Sequence, residues 1–592
     1  MEESIDKEKE LEAKEAEQEL DEIINNHIDE FVKNHLDENF QFRKGQRVAI
    51  FSICKTFMDK DRKHYFLQAP TGAGKSIIAI IVAYVLNKIG YSGYILASDI
   101  GLQDQYENDF KRFHLDWGSV KGLDNYICTE NGEKHRYGNC HVRLETHDKI
   151  KERRCYDSCP YYAARRRALA SETSLLNYSY WLTQDFSTES KSLFKKRDFI
   201  ICDEAHKIAD IVQNAYAPKV DKFTKANLKV LIEAFQQELN FYEVQFKEVD
   251  DIVNLLFDET DKEKLLQALD LFCTKLDELS AEGDKFKRHC ASMSDGGVPN
   301  YLKKYLRLCN WLSEQQNMFH SYTDIIHKVG VKFMIPCRTD GEVAFKTLNE
   351  RFLMEKYFHG RHNFSVFMSA TMGTPKMFYK NIAGEKVNSG RSCSIPSTFN
   401  FDKSPICVYP RHSMSYKNKD KTLPWIAKKV EEILEAHKGE KGIIHCGSYS
   451  NAQRIISLLQ DSSRIITYKP GDKTFSLCEF EESEDKVLMG PSILEGINLE
   501  DDKSRFQIFV KVPYASLNDD FIAAKLELDP SWYQNDAIVK MLQGVGRSVR
   551  NENDWAVTYI LDSDFIYLWK KNTDKFPERE FNDRLKFIYN AK

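Results

Sequence analysis

His64-Tyr-Phe-Leu-Gln-Ala-Pro-Thr-Gly-Ala-Gly-Lys-Ser-Ile-Ile-Ala-Ile-Ile-Val-Ala-Tyr-Val-Leu-Asn87 decides how the rest of the chain is read. A short apolar run, a turn holding two glycines and a long apolar run follow one another. This strand, loop and helix order is the setting that a phosphate-binding loop requires. Thr71, Gly72, Ala73 and Gly74 bring backbone N–H groups around phosphate oxygens at a helix N-terminus. Lys75 is suited to neutralising the β- and γ-phosphates of ATP, and the Ser76 hydroxyl to ligating Mg²⁺. Ala69 stands where such loops usually place their first glycine.

Working outward, Phe199-Ile-Ile-Cys-Asp-Glu-Ala-His206 is an apolar strand that delivers two carboxylates at its C-terminal end. Ligands of open α/β sheets bind at that edge. Asp203 suits Mg²⁺, and Glu204 suits orientation and deprotonation of an attacking water. The last four residues spell DEAH, and further segments resemble helicase motifs in the same order along the chain. Ser369-Ala-Thr371 resembles motif III, and Gln543-Gly-Val-Gly-Arg-Ser-Val-Arg550 resembles motif VI. The resemblance makes Gln543, Arg547 and Arg550 catalytic, with the two arginines reaching the γ-phosphate across a cleft. Phe42-Arg-Lys-Gly-Gln46 resembles the adenine-reading Q element, in which Arg43 and Gln46 would contact the nucleotide.

Two long insertions narrow the choice. About 160 residues separate Asp203 from Ser369, too many for an unstructured loop. Within them 227–257 and 262–279 recur apolar at helical spacing without Gly or Pro, which predicts a helical module with its own core. The other insertion holds Cys128, Cys140, Cys155 and Cys159, spaced by eleven, fourteen and three residues, in a polar and basic segment. So little apolar material calls for a metal staple. Four thiolates can hold an iron–sulfur cube. Tetrahedral zinc is the alternative, because His135, His141 and His147 lie nearby; these histidines are expected at the surface or on the DNA side. Lys121-Gly-Leu-Asp-Asn-Tyr-Ile-Cys128 and Cys159-Pro-Tyr-Tyr162 resemble the opening and close of the iron–sulfur domain in XPD/DinG-like helicases. The other cysteines, such as Cys202, Cys407 and Cys446, are scattered in apolar runs and read as small buried residues.

The second half is similar to the same family. Gly442-Ile-Ile-His-Cys-Gly-Ser-Tyr-Ser450 resembles motif IV, Met489-Gly-Pro-Ser-Ile-Leu-Glu-Gly-Ile-Asn498 motif V, and Lys511-Val-Pro-Tyr514 the strand that follows. Asn498 stands where the family usually has Asp, keeping the hydrogen-bonding shape without the charge. The expected fold is α/β: two RecA-like doubly wound motor domains, with an iron–sulfur insertion and an all-helical arch in the first. The expected divisions are an acidic helical or disordered extension at 1–38 and motor domain 1 at 39–124, 166–215 and 344–395. A cluster domain at 125–165, an arch at 216–343 and motor domain 2 at 396–592 complete the chain.

The resemblance implies an ATP-dependent DNA helicase, acting with Mg²⁺ and a 4Fe-4S cluster, that moves 5′-to-3′ on single-stranded DNA. It would unwind duplex or forked DNA, R-loops and D-loops, as a monomer. A translocase that hydrolyses ATP without separating strands is the nearest rival. The net charge of −6 looks unfavourable for such partners, yet 1–38 holds fifteen Asp/Glu against four Lys/Arg, which leaves the remainder at +5. Tyr161, Tyr162, Arg165, Arg166 and Arg167 form a candidate strand-binding cluster. No apolar run approaches the roughly 20 residues that span a bilayer, so the expected location is the cytoplasm.

Overall fold

A computed structural model describes residues 2–70, 72–142, 150–184, 194–241, 243–292, 300–371, 390–397, 399–468, 473–491, 499, 501–549 and 553–589. In chain order the first domain contributes β1 (His64–Gln68), β2 (Gly93–Ala97), β3 (Gly118–Ser119), β4 (Thr173–Asn177) and β5 (Arg197–Cys202). A small sheet follows, made of β6 (Lys219–Asp221), β7 (Met334–Thr339) and β8 (Glu342–Thr347). The chain then returns to the first domain for β9 (His362–Ser369) and β10 (Gly390–Ser394). Among the described residues these strands make a seven-stranded parallel sheet in the order β10-β1-β9-β5-β2-β4-β3. Its central strands are buried on both faces, as their unbroken apolar runs require.

The helix Lys75–Lys88 is apolar around most of its circumference because it too is covered on both sides. Two further helices, Glu2–His35 and Gln46–Met58, pack on its outer face. The N-terminal extension is therefore helical, but its second half is not a solvated tail. Ile24, Ile28 and Phe31 are fully buried in the first domain's core, each burial contributing roughly 1.5–3 kcal/mol. Lys55 of the neighbouring helix pairs with Glu17 and Asp21, at 2.8 and 2.9 Å.

The arch holds the helices Lys222–Leu239, Phe246–Asp258, Lys262–Ser292 and Asn300–Val329 around a core of its own. The single run expected over 227–257 is broken at Asn240, which takes a left-handed conformation (φ 52°). Its N–H and that of Phe241 both turn back to the carbonyl of Phe235. Asn tolerates this geometry, so the helix ends without Gly or Pro. Nor is the arch all-helical: β6, β8 and β7 form an antiparallel sheet at its base. The cues were a strict alternation of burial along Glu342–Thr347 and an Asp340-Gly341 hairpin turn. The expected arch boundary at 343 thus falls inside β8.

The second domain adds β11 (Ile406–Val408), β12 (Gly442–His445), β13 (Ile465–Thr467), β14 (Val487–Gly490), β15 (Phe506–Phe509), β16 (Val557–Ile560) and β17 (Leu585–Phe587). They form a second parallel sheet, ordered β13-β14-β12-β15-β16-β11-β17. Its helix Asp520–Leu528 lies against β7 at the arch base, and Lys525 makes a buried ion pair with Glu350. The arch also reaches the cysteine-bearing segment. Arg307 lies 3.3 Å from Glu133, with its guanidinium 4.5 Å above the Tyr137 ring.

Candidate nucleotide site and cysteine domain

A cleft of about 920 Å³ lies between the two sheets. Lys75, Ser76, Asp203, Glu204 and His206 line it from the first domain, and Gln543 and Arg547 from the second. Gly72 and Gly74 both have positive φ, 77° and 74°. A side chain at 74 would also collide with Gln46, whose Nε2 lies 2.5 Å from where Cβ would stand. Lys75 Nζ sits 3.4 Å from Glu204. Asp203 is buried, accepts from the Tyr106 hydroxyl at 2.8 Å and, through its backbone carbonyl, from Tyr178 at 2.9 Å. Burial pushes the Asp203 carboxyl up to about 6, with Glu204 adding and Lys75 opposing. Burial acts upward on Glu204 too, but Lys75 first and Lys207 beside it hold it down at about 2. Glu204 is therefore the carboxylate that the protein's own cations keep charged, and Asp203 the one that most needs an added cation beside it.

The two domains meet through a chain of hydrogen bonds. Gln543 Nε2 lies 2.7 Å from His206 Nε2, and His206 Nδ1 lies 2.8 Å from Ser369 Oγ. An amide nitrogen only donates, so His206 Nε2 accepts and the ring proton sits on Nδ1. That proton then points to Ser369, whose hydroxyl donates to the Thr371 carbonyl at 3.3 Å. The DEAH histidine thus joins the motif III serine of one domain to the motif VI glutamine of the other.

Cys128, Cys140 and Cys159 are buried in one small domain, and Cys155 is half-exposed. Cys140 and Cys159 pack with Tyr161, Tyr162 and the first domain's Trp181 and Tyr178 in a single core. His135 is buried, with Nε2 3.1 Å from Cys159 Sγ, which corrects its expected place at the surface; nothing is described of the His141 side chain or of His147. A Cβ added at Gly138 would come within 3.2 Å of Cys128 Sγ and 3.0 Å of the His135 carbonyl. Among the described residues no three Cys, His, Asp or Glu side chains gather closely enough to hold a single metal ion.

Residues 430–579 match the family model described as Helicase C-terminal domain, and 39–239 match that of the Type III restriction enzyme, res subunit. ATP-dependent DNA helicase CHL1 of Candida albicans is 22% identical over 502 residues, 69% of this chain and 57% of that protein. ATP-dependent DNA helicase YoaA of Escherichia coli is 19% identical over 442 residues, 69% of this chain and 67% of that one. The Haemophilus influenzae YoaA matches at 24% over 38% of each chain. This chain accordingly spans between about two fifths and two thirds of the length of these relatives. Among solved structures, S. tokodaii Xpd4 aligns with a TM-score of 0.58 at 13% identity, covering 92% of this chain and 100% of its own. An XPD helicase reaches 0.60 at 15%, covering 93% and 100%, and these likenesses establish the fold. Together these likenesses support an XPD/DinG-type superfamily 2 helicase.

Several residues sit differently from the expectation. Gln46 is buried, donates to the Ala73 carbonyl at 2.8 Å and accepts from Arg43 N–H at 2.7 Å. Its amide braces the phosphate loop. Arg43 lines the cleft and donates to the Gly72 carbonyl. Thr71, Asn498 and Arg550 lie outside the described residues. Tyr161 and Tyr162 are buried, so they cannot stack on a strand. The arginines beside them are engaged as well: Arg165 and Arg166 lie over Tyr161 and Tyr156, at 5.9 and 4.5 Å, and Arg167 pairs with Asp116 at 2.8 Å. A domain poor in aliphatic residues has spent its tyrosines on its own core. Tyr106, which lies in no phosphate-binding motif, carries no signal of its place in the sequence. No helix among the described residues is long and apolar enough to cross a membrane.

Proposed function

We propose that this chain is an ATP-dependent DNA helicase that moves along single-stranded DNA, 5′-to-3′, and separates duplex or forked DNA, R-loops and D-loops. The observation that carries this reading is the interdomain chain Gln543–His206–Ser369 at the floor of a phosphate-loop cleft. Such a chain makes the relative position of the two motor domains depend on what the first one binds. Lys75 would hold the β- and γ-phosphates, Glu204 would orient and deprotonate the attacking water, and Arg547 and Arg550 would meet the γ-phosphate from the second domain. Ser76 and Asp203 would hold Mg²⁺, which neutralises charge on the β- and γ-oxygens. Closing and opening of the cleft would ratchet the domains along a strand gripped through its backbone.

Cys128, Cys140, Cys155 and Cys159 would hold a 4Fe-4S cluster. Three buried thiols and the space kept by Gly138 beside Cys128 fit such a group. The cluster would supply the covalent staple that this small domain needs. Its contact with the arch through Arg307 fits a wedge and gate for the separating strands.

Strand displacement on forks bearing either a 5′ or a 3′ tail tests the reading, with Lys75→Ala as control and iron measured on anaerobically purified protein. Unwinding of the 5′-tailed fork by protein holding about four irons per chain is expected. ATP hydrolysis stimulated by single strands, without displacement of either fork, would favour the translocase.

A further inference from the structure

Tyr106 belongs to none of the sequence motifs, yet it sits at the point where two of them meet. It lies on the helix Ile100–Arg112 that follows β2 and is fully buried. Its hydroxyl donates to Asp203 Oδ2 at 2.8 Å. A phenol has one proton to give, and Asp203 takes it. Gln105 Nε2 meets Ser76 Oγ from the open side of the cleft, at 3.3 Å.

The serine's hydrogen-bonding capacity can then be counted. Ser76 Oγ has one proton and two lone pairs. One lone pair accepts from Gln105, which leaves the other for a cation. Asp203 Oδ2 takes the Tyr106 proton while Oδ1 accepts the Glu204 N–H at 2.8 Å. Phenylalanine would fill the same space without having to desolvate a hydroxyl, so a fully buried tyrosine here needs its polar partner.

We propose that Tyr106 is a positioning residue for magnesium, its hydroxyl fixing the Asp203 carboxylate for the ion it would share with Ser76. The two ligands come from segments more than a hundred residues apart, and neighbouring residues of one helix meet them, Gln105 at Ser76 and Tyr106 at Asp203. The inference rests on the ATPase reading given above and adds a residue to it.

The test is Tyr106→Phe in the full chain. Binding of a fluorescent ATP analogue is measured in EDTA and along a Mg²⁺ titration, with ATP turnover followed along the same titration. Loss of an outer-shell partner typically costs 10–100-fold in metal affinity. The variant should therefore need about ten to a hundred times more Mg²⁺ for half-maximal turnover, with its affinity for the analogue in EDTA unchanged. A purely structural role would lower both together and would overturn the proposal, as would an unmoved Mg²⁺ response. Asp203→Asn with and without Tyr106→Phe, read as Mg²⁺-dependent affinity for the analogue, closes a double-mutant cycle. Effects that do not add support action through Asp203, and additive effects overturn it. A wild-type protein whose nucleotide binding and turnover ignore Mg²⁺ would overturn the ATPase reading itself, a result distinct from an indifferent variant.

Discussion

Lys525→Met tests how firmly the second motor domain is fixed to the first. Lys525 and Glu350 are paired with side chains only 9% and 8% exposed, and the Trp532 ring lies 4.0 Å from the ammonium. Methionine keeps the length of lysine and removes the charge, leaving Glu350 buried and unpaired. Breaking a buried pair in this way costs about 3–5 kcal/mol, which in a domain of this size lowers the unfolding midpoint by roughly 6–20 °C. The loss should depend on pH. Burial raises the Glu350 carboxyl above its ordinary value, while Lys525 opposes that rise. Without Lys525 the folded-state value climbs further above the unfolded one. A carboxyl raised on folding destabilises little at acid pH and increasingly as pH rises through its folded value. The deficit should thus be small at pH 5 and widen toward pH 8. Lys525→Met combined with Glu350→Met should recover most of the loss, since an apolar pair avoids both desolvation costs. Thermal unfolding of the three proteins at both pH values decides the matter. An equal deficit at pH 5 and 8, or a double variant no better than the single one, would refute the reasoning.

Three further outcomes are expected. Gln543→Ala removes one hydrogen bond to a neutral imidazole, worth about 0.5–1.5 kcal/mol. DNA-stimulated turnover should then fall roughly 2- to 13-fold while nucleotide affinity holds, as steady-state kinetics beside equilibrium binding would show. Arg307→Ala removes an ion pair and a cation–π contact between arch and cysteine domain, each worth up to about 1 kcal/mol at an exposed site. Hydrogen exchange around 133–137 should accelerate severalfold, with no change in nucleotide binding. Gly138→Ala places a methyl group against Cys128 Sγ and the His135 carbonyl. The strain, about 1–3 kcal/mol, should lower iron per chain in metal analysis while leaving nucleotide binding intact.

The parts legible in the sequence are those whose chemistry is local. A phosphate loop needs its glycines, lysine and serine side by side, so residues 69–76 announced a parallel α/β sheet before any strand order was known. The Asp203–Glu204 pair was equally plain, because an apolar strand can deliver carboxylates only at its end. What stayed hidden depends on partners distant in sequence. Gln46 has the right type for reading adenine, but its fate is decided by Ala73 and Arg43. The extension at 1–38 shows its charge in composition, whereas Ile24, Ile28 and Phe31 acquire meaning only against the helix Lys75–Lys88. Asn240 ended a helix through one left-handed residue, and no periodicity in the flanking side chains records that.

The tyrosines of the cysteine domain show the same dependence on surroundings. Tyr161, Tyr162 and the arginines after them have the composition of a nucleic-acid surface, and aromatic residues beside cations are a fair signal of one. In a segment with few aliphatic side chains, however, the same rings are the largest apolar bodies available for a core. Burial takes them first, and the arginines follow to lie over tyrosine rings. Exposed basic and aromatic composition therefore says little about strand binding until the core's own demand for aromatics has been met. In this chain that demand is high, because buried thiols contribute little apolar area of their own. A strand path across the cysteine domain must accordingly be built from side chains left over after Tyr161 and Tyr162 are spent.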